Sequence, residues 1–229
     1  KVLLELLKKH PEFTFSISLS GVLLEQLEAH APATLESFKK LVATGRVEVL
    51  GETYYHSLAF YYSLSEFEAQ VKLQDKILKR IFGITPKVFS NTELAYRNDL
   101  AQWAEKNSYK GIIAEGWDPI LGWRTSNFVY EPVGTKKIKL LLKNYRLSDD
   151  IAFRFSNQAW SEWPLTADKF ASWVNAVNGN GETVNLFMDY ETFGEHQWES
   201  TGIFDFLKHL PKEILKNPDN SFKTLSETC

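Results

Sequence analysis

The sequence predicts an α/β fold in which parallel strands are covered by helices. Strand-like and helix-like segments alternate along the chain, the order that folds as parallel strands with helical crossovers. Several strand candidates are continuous apolar runs instead of alternating ones, which marks strands buried on both faces. Four of these runs also end on an acid. Val47-Glu48-Val49-Leu50-Gly51 leads into Glu52, Val88-Phe89-Ser90-Asn91-Thr92 into Glu93, Gly111-Ile112-Ile113-Ala114 into Glu115, and Val184-Asn185-Leu186-Phe187-Met188 into Asp189. Parallel strands of one sheet or barrel bring such ends to one face, the face on which α/β barrels carry their active sites.

Taken in order, Lys1–His10 reads as the end of a helix. Glu12–Leu19 alternates around Phe13, Phe15, Ile17 and Leu19, a strand pattern. Ser20 is placed to cap a helix over Val22–Ala29, and Pro32 fits the first turn of a second helix, Ala33–Thr44, closed by Gly45. Val47–Gly51 is a strand. Ser65 and Glu68 have the spacing of a capping box opening a long helix that ends near Gly83. Lys87–Ser90 is a strand, Asp99–Asn107 a helix and Gly111–Ala114 a strand. Gly116–Lys137 is long and irregular, with Pro119, Gly122, Pro132 and Gly134; such loops are commonly functional. Ile138–Lys143 is a strand, Asp149–Phe155 a short helix, and Thr166–Val177 a helix with Thr166 and Asp168 in capping positions. Asn178-Gly179-Asn180-Gly181 is a turn, Val184–Met188 a buried strand, and Thr201–Leu210 a helix ended by Pro211. Asn217–Cys229 is polar and reads as a tail without a closing element.

The 229 residues form one domain with no internal repeat, and 44% hydrophobic content suits an ordinary globular core. Net charge is −3 with both signs interspersed; without a basic stripe, nucleic acid is not expected as a partner. No apolar run is long enough to span a membrane, and Glu5 interrupts the one apolar stretch near the start, so neither a membrane segment nor a signal peptide is expected. Cys229 is the only cysteine, which suits a reducing, cytoplasmic setting. The sole methionine is Met188, so the chain reads as a processed product or a piece of a longer protein. Aromatics are abundant, with seven Trp, nine Tyr and sixteen Phe. Trp117, Trp123, Trp160, Trp163 and Trp198 lie among polar clusters, where a surface or cleft role is expected.

The chemistry concentrates at the strand ends. Glu93 lies in Ser90-Asn91-Thr92-Glu93-Leu94-Ala95-Tyr96, where Asn91, Thr92 and Tyr96 could hydrogen-bond a carboxylate or a sugar hydroxyl. A glutamate after a strand often does no more than cap a helix. Asp189 opens Asp189-Tyr190-Glu191-Thr192-Phe193-Gly194-Glu195-His196-Gln197-Trp198, dense in acids and aromatics, with Gly194 allowing a tight turn. Glu52 and His56 can meet around one turn. Two carboxylates are what cleavage of a glycosidic bond requires: one attacks the anomeric carbon and the other protonates the leaving oxygen. Aromatic faces stack on sugar rings, so the combination points to carbohydrate chemistry.

Gly51-Glu52-x-x-x-His56, Asn91-Thr92-Glu93-Leu94 and Met188-Asp189-Tyr190-Glu191-Thr192-Phe193-Gly194 resemble, in order and spacing, successive motifs of glycoside hydrolase family 57. This is the family of α-amylases, amylopullulanases, 4-α-glucanotransferases and α-glucan branching enzymes. The resemblance covers most of the chain and looks closest to the α-amylase-like members. It implies an incomplete (β/α)7-type barrel, a retaining mechanism on α-1,4-linked glucans or maltooligosaccharides, and no metal or organic cofactor. Glu93 matches the family nucleophile and Asp189 the general acid/base. Glu52, His56, Glu191, Phe193 and Trp198 fall where the family lines its sugar site. Trp117, Trp123 and Arg124 in the long loop, with Arg146 and Asp150 after the next strand, are placed near the cleft by position.

The His-Gln-Pro segment that the family carries on its first strand is absent, and the chain stops before the family's helical region. The resemblance therefore implies a catalytic domain, residues 1–229, cut at both ends, whose exposed strand edges could pair in a homo-oligomer. Three other readings stand beside hydrolysis: glucan transfer or branching, an inactive glucan-binding fragment, and a metal-dependent polysaccharide deacetylase on a similar barrel. The last would need clustered His and Asp ligands; the five histidines, His10, His30, His56, His196 and His209, include no i, i+4 pair.

Overall fold

Six parallel backbone segments lie side by side in chain order in the computed structural model, which describes residues 1–229. Helix α1 (Val2–Lys9) precedes strand β1 (Phe15–Ile17), followed by α2 (Gly21–His30), α3 (Pro32–Ala43) and β2 (Val47–Val49). Then come α4 (Leu64–Phe82), β3 (Val88–Ser90), α5 (Asn98–Lys106), β4 (Gly111–Glu115), the short α6 (Asp118–Leu121) and β5 (Lys139–Lys143). Helices α7 (Tyr145–Ala152), α8 (Ala167–Asn175), α9 (Ile203–Ile214) and α10 (Leu225–Thr228) complete the chain.

Strands β1 and β2 pair in parallel with Phe15 opposite Val47, and β3, β4 and β5 pair in parallel with Val88 opposite Gly111 and Gly111 opposite Lys139. A single parallel bridge joins the two sheets. Gly51 N–H donates to Val88 O at 2.9 Å, and Gly51 O accepts from Ser90 N–H at 2.8 Å. A second bridge, Lys143 with Asn185, brings residues 184–188 beside β5. The expectation of parallel strands under helices is met, but the array is two short sheets, not a closed barrel.

Local physics places most elements where expected. Ser20 accepts from Leu23 N–H at the start of α2, Pro32 stands in the first turn of α3, and Gly45 beyond it has φ +71°. Four expectations need correction. The cap of α4 is Ser63, whose Oγ accepts from Glu66 N–H, while Glu68 takes the indole N–H of Trp103 at 3.1 Å. Residues 184–188 form no regular strand. One parallel bridge and side-chain bonds stand in for a ladder: Phe187 N–H donates to Ser148 Oγ at 3.1 Å, and the Asn185 side chain takes the Leu142 carbonyl of β5, Nδ2 donating at 3.0 Å. Pro211 lies inside α9, because the apolar face of Ile203, Phe206, Leu207, Leu210 and Ile214 continues across it; buried packing outweighs one lost backbone bond. The tail closes in α10 with a full Thr224/Glu227 capping box. It docks back on the sheet, Leu225 N–H donating to Ser16 Oγ at 3.0 Å and Ser226 N–H to Glu48 Oε2 at 2.9 Å.

Three cores support the strands. Leu6, Leu24, Phe38, Val47, Val49 and Leu78 pack α1–α4 on β1 and β2. Phe67, Phe89, Trp103, Tyr109 and Ile112 fill the space between β3, β4 and helices α4 and α5, with rings mostly edge-to-face. Ile151, Phe170, Ile203 and Phe206 join α7, α8 and α9. No helix is long and apolar enough to cross a membrane.

Candidate active site

The motif residues of β2 and β3 meet where those strands end. Buried Phe89 anchors β3, and the chain then turns sharply at Thr92–Leu94. Glu93 has φ +57° and Leu94 φ +53°, left-handed conformations that side-chain-bearing residues avoid. The turn is held by Asn91 Nδ2 donating to Ala95 O at 2.9 Å and Thr92 Oγ1 donating to Ser57 O at 2.9 Å. The Glu93 side chain is 78% exposed, so the turn presents the carboxylate outward. Facing it, the turn after β2 holds His56 at φ +51°. Each left-handed residue costs on the order of 1–3 kcal/mol and persists where the surroundings impose it, as at functional sites.

His56 bridges two carboxylates. Its Nδ1 is 3.0 Å from Glu52 Oε2 and its Nε2 is 3.5 Å from Glu93 Oε1. Glu52 is buried, and its second oxygen accepts from Ser18 Oγ at 2.7 Å. The hydrogen bond to Glu52 holds His56 above the ordinary histidine range, reinforced by Glu93 and opposed by partial burial. Ser18 escapes a motif-based reading. Its signal is the polar face Thr14, Ser16 and Ser18 that alternates with Phe13, Phe15 and Ile17.

Asp189 stands just before the single turn Tyr190–Thr192, with extended backbone and an exposed side chain that makes no hydrogen bond or ion pair in the protein. Tyr190 packs on Phe38 with ring centroids 5.6 Å apart. Beneath this segment, buried Thr192 Oγ1 and Gln197 Oε1 have no protein partner, while Gln197 Nε2 donates to Ala152 O. Glu191 and Trp198 are exposed, and Phe193 is a half-buried residue packed between the first and third cores.

The remaining candidates have local partners. Arg146 pairs with Asp118, which also accepts from Tyr145 Oη at 3.0 Å. Arg124 Nε donates to Leu121 O at 3.0 Å, closing α6. Asp150 pairs with Arg154 at 2.6 Å; burial raises its carboxyl above the usual range against that arginine's pull. Glu115, the fourth strand-ending acid, faces Lys143 at 3.4 Å. Trp117 and Trp123 are exposed, Trp123 at 94%. Trp163 and Trp198 are exposed as expected, whereas Trp160 packs against Trp173 at the edge of the third core. No group of three or more His, Cys, Asp or Glu side chains converges as a metal-binding cluster; His56 stands between its two carboxylates.

The sequence signature described as "Glycosyl hydrolase family 57" matches residues 1–229. The chain is 46% identical over 229 residues to a protein of Methanocaldococcus jannaschii named "Putative alpha-amylase", covering 99% of this chain and 48% of that protein. It thus spans about half the length of that relative. The solved 4-alpha-glucanotransferase of Thermococcus litoralis superposes with a TM-score of 0.77 at 18% identity, over 99% of this chain and 35% of its own. A GH57-type branching enzyme of Pyrococcus horikoshii gives 0.76 at 16% identity, over 99% and 62%. These two likenesses speak for the fold, and the first for about a third of its partner. With its signature extending over every residue, the chain belongs to glycosyl hydrolase family 57.

Proposed function

We propose that this chain is the catalytic part of a retaining glycoside hydrolase acting on α-1,4-linked glucans, with Glu93 as nucleophile and Asp189 as general acid/base. The observation that carries the reading is the presentation of Glu93: an outward carboxylate on a left-handed turn at the end of a buried parallel strand. The six parallel segments in chain order are read as the arc of a (β/α)7-type barrel, with Asp189 following the sixth.

In this mechanism the Glu93 carboxylate attacks C1 of an α-linked glucose while Asp189 protonates the departing glycosidic oxygen. A covalent glycosyl-enzyme forms. Asp189, now a carboxylate, takes the proton of an incoming water, and C1 is released from Glu93 with net retention. Such a pair works at a carboxyl separation of roughly 5–5.5 Å. Glu191, Trp117, Trp123 and Trp198 would line the sugar site, the tryptophans stacking on pyranose faces, with buried Glu52 behind His56. A second glucan in place of water gives transfer by the same first step.

The test is Glu93→Gln and Asp189→Asn in the full-length protein, with maltooligosaccharide products followed by chromatography. Turnover falls by about 10³-fold or more in each if the roles are right, in line with loss of a covalent or proton-transfer step. Near-normal turnover in either variant overturns the assignment. Product length against substrate length separates hydrolysis from transfer.

A further inference from the structure

We infer that His56 is a positioning residue that clamps the carboxylate of Glu93 from the buried carboxylate of Glu52, and that it is not a sugar ligand. The inference rests on the proposed role of Glu93 and adds a control on it.

The contacts form one line: Ser18 Oγ to Glu52 Oε1 at 2.7 Å, Glu52 Oε2 to His56 Nδ1 at 3.0 Å, His56 Nε2 to Glu93 Oε1 at 3.5 Å. The buried end is fixed, because the Glu52 side chain is 4% exposed and both of its oxygens are engaged. Each ring nitrogen of His56 faces a carboxylate, which leaves the ring no free donor for a sugar hydroxyl. A neutral imidazole donates from one nitrogen only and would turn a lone pair toward the other carboxylate. The imidazolium donates to both, so the charged ring fits this gap and the neutral ring does not. The backbone agrees: two facing turns each hold a non-glycine residue in the left-handed region, His56 at +51° and Glu93 at +57°, so that these side chains meet.

The charged groups that act on His56 are Glu52 from its own turn and Glu93 from the turn after β3; Ser18, from the end of β1, is neutral. Both acids raise the histidine, Glu52 more strongly. The sign follows. The clamp is charged at and below the ordinary histidine value and is lost as pH rises through the raised one.

The test has two arms. In the first, the imidazole nitrogens are titrated by NMR, with the His56 signals assigned by their loss in His56→Gln. His56 titrates above the ordinary value of about 6.5. Glu93→Gln lowers its midpoint by roughly half a pH unit, and Glu52→Gln lowers it further. Since Glu93 is exposed, its variant folds. A His56 midpoint that does not move in Glu93→Gln overturns the clamp. The second arm is kinetic, on the full-length protein. His56→Gln lowers kcat for a maltooligosaccharide about 10- to 100-fold with KM little changed. His56→Asn serves as a second variant because asparagine tolerates the left-handed backbone. A raised KM with kcat intact makes His56 a sugar ligand and overturns the proposal. Should Glu93→Gln keep its turnover, the nucleophile assignment fails instead, and the NMR arm still decides whether the two side chains are coupled.

Discussion

Phe89→Ala removes the ring on which the Glu93 turn rests. Phe89 has no exposed surface, and its ring meets Phe67 at 5.7 Å, Trp103 at 5.3 Å and Tyr109 at 5.4 Å, all near edge-to-face. Truncation forfeits the transfer energy of the ring and leaves a cavity, about 3–5 kcal/mol together for a buried Phe. The aromatic pairs belong to that total. β3 is paired on both sides, through Gly51 and through β4, so the backbone is not free to collapse into the space, which keeps the cost at about 4 kcal/mol. With a urea m value of about 3 kcal/mol/M, a loss of about 4 kcal/mol lowers the midpoint by about 1.3 M. In thermal unfolding the same loss lowers Tm by roughly 8–16 °C. Equilibrium urea unfolding followed by near-UV circular dichroism measures it. Phe89→Leu, which refills much of the volume, loses less. A Phe89→Ala midpoint within about 0.3 M of the parent would refute the claim that this cluster anchors the site-bearing strand.

Two further outcomes are expected. Ser63→Ala destabilises the chain by about 1 kcal/mol in urea unfolding through loss of the α4 cap, whereas Ser65→Ala leaves it within about 0.5 kcal/mol; the reverse order would restore Ser65 as the cap. A Cβ on Gly111 would lie 2.2 Å from Cys229 Sγ, so Gly111→Ala lowers Tm and Cys229→Gly in the same chain restores most of the loss, while the half-buried Cys229 thiol, pushed up to about 11 by desolvation, is alkylated slowly at pH 8 until urea is added.

Much of the fold is legible because the signals are local. Hydroxyl caps, the Pro32 start, the Gly45 stop and the apolar strand runs act over a few residues; Ser20, Pro32 and Gly45 stand where their spacing places them, and strands β2 to β5 lie within the runs that mark them, to a residue or two. The strand-end acids are legible for the same reason: a parallel strand has a fixed direction, so a residue at its C-terminal end is assigned an end of the sheet. The misplaced elements are those where distant packing outweighs local preference. Pro211 remains within α9 because the apolar face of Ile203, Phe206, Leu207 and Leu210 resumes beyond it at Ile214, and residues 184–188 stay irregular where the Asn185 side chain takes the Leu142 carbonyl and Ser148 Oγ takes the Phe187 N–H in place of ladder bonds.

The sequence alone determined the parallel sense of the strands and put Glu52, Glu93 and Glu115 at or just beyond their ends, with Asp189 after an apolar run that the structure leaves irregular. The tertiary structure decided what those acids do to one another. It set Glu115 against Lys143, tied Arg146 to Asp118 and Asp150 to Arg154, moved Phe193 into the cores, and lined up Ser18, Glu52, His56 and Glu93. Strand direction follows from short-range periodicity and chirality. A charged contact between two turns depends on where each strand is fixed by its neighbours, and that is settled only when the whole core packs.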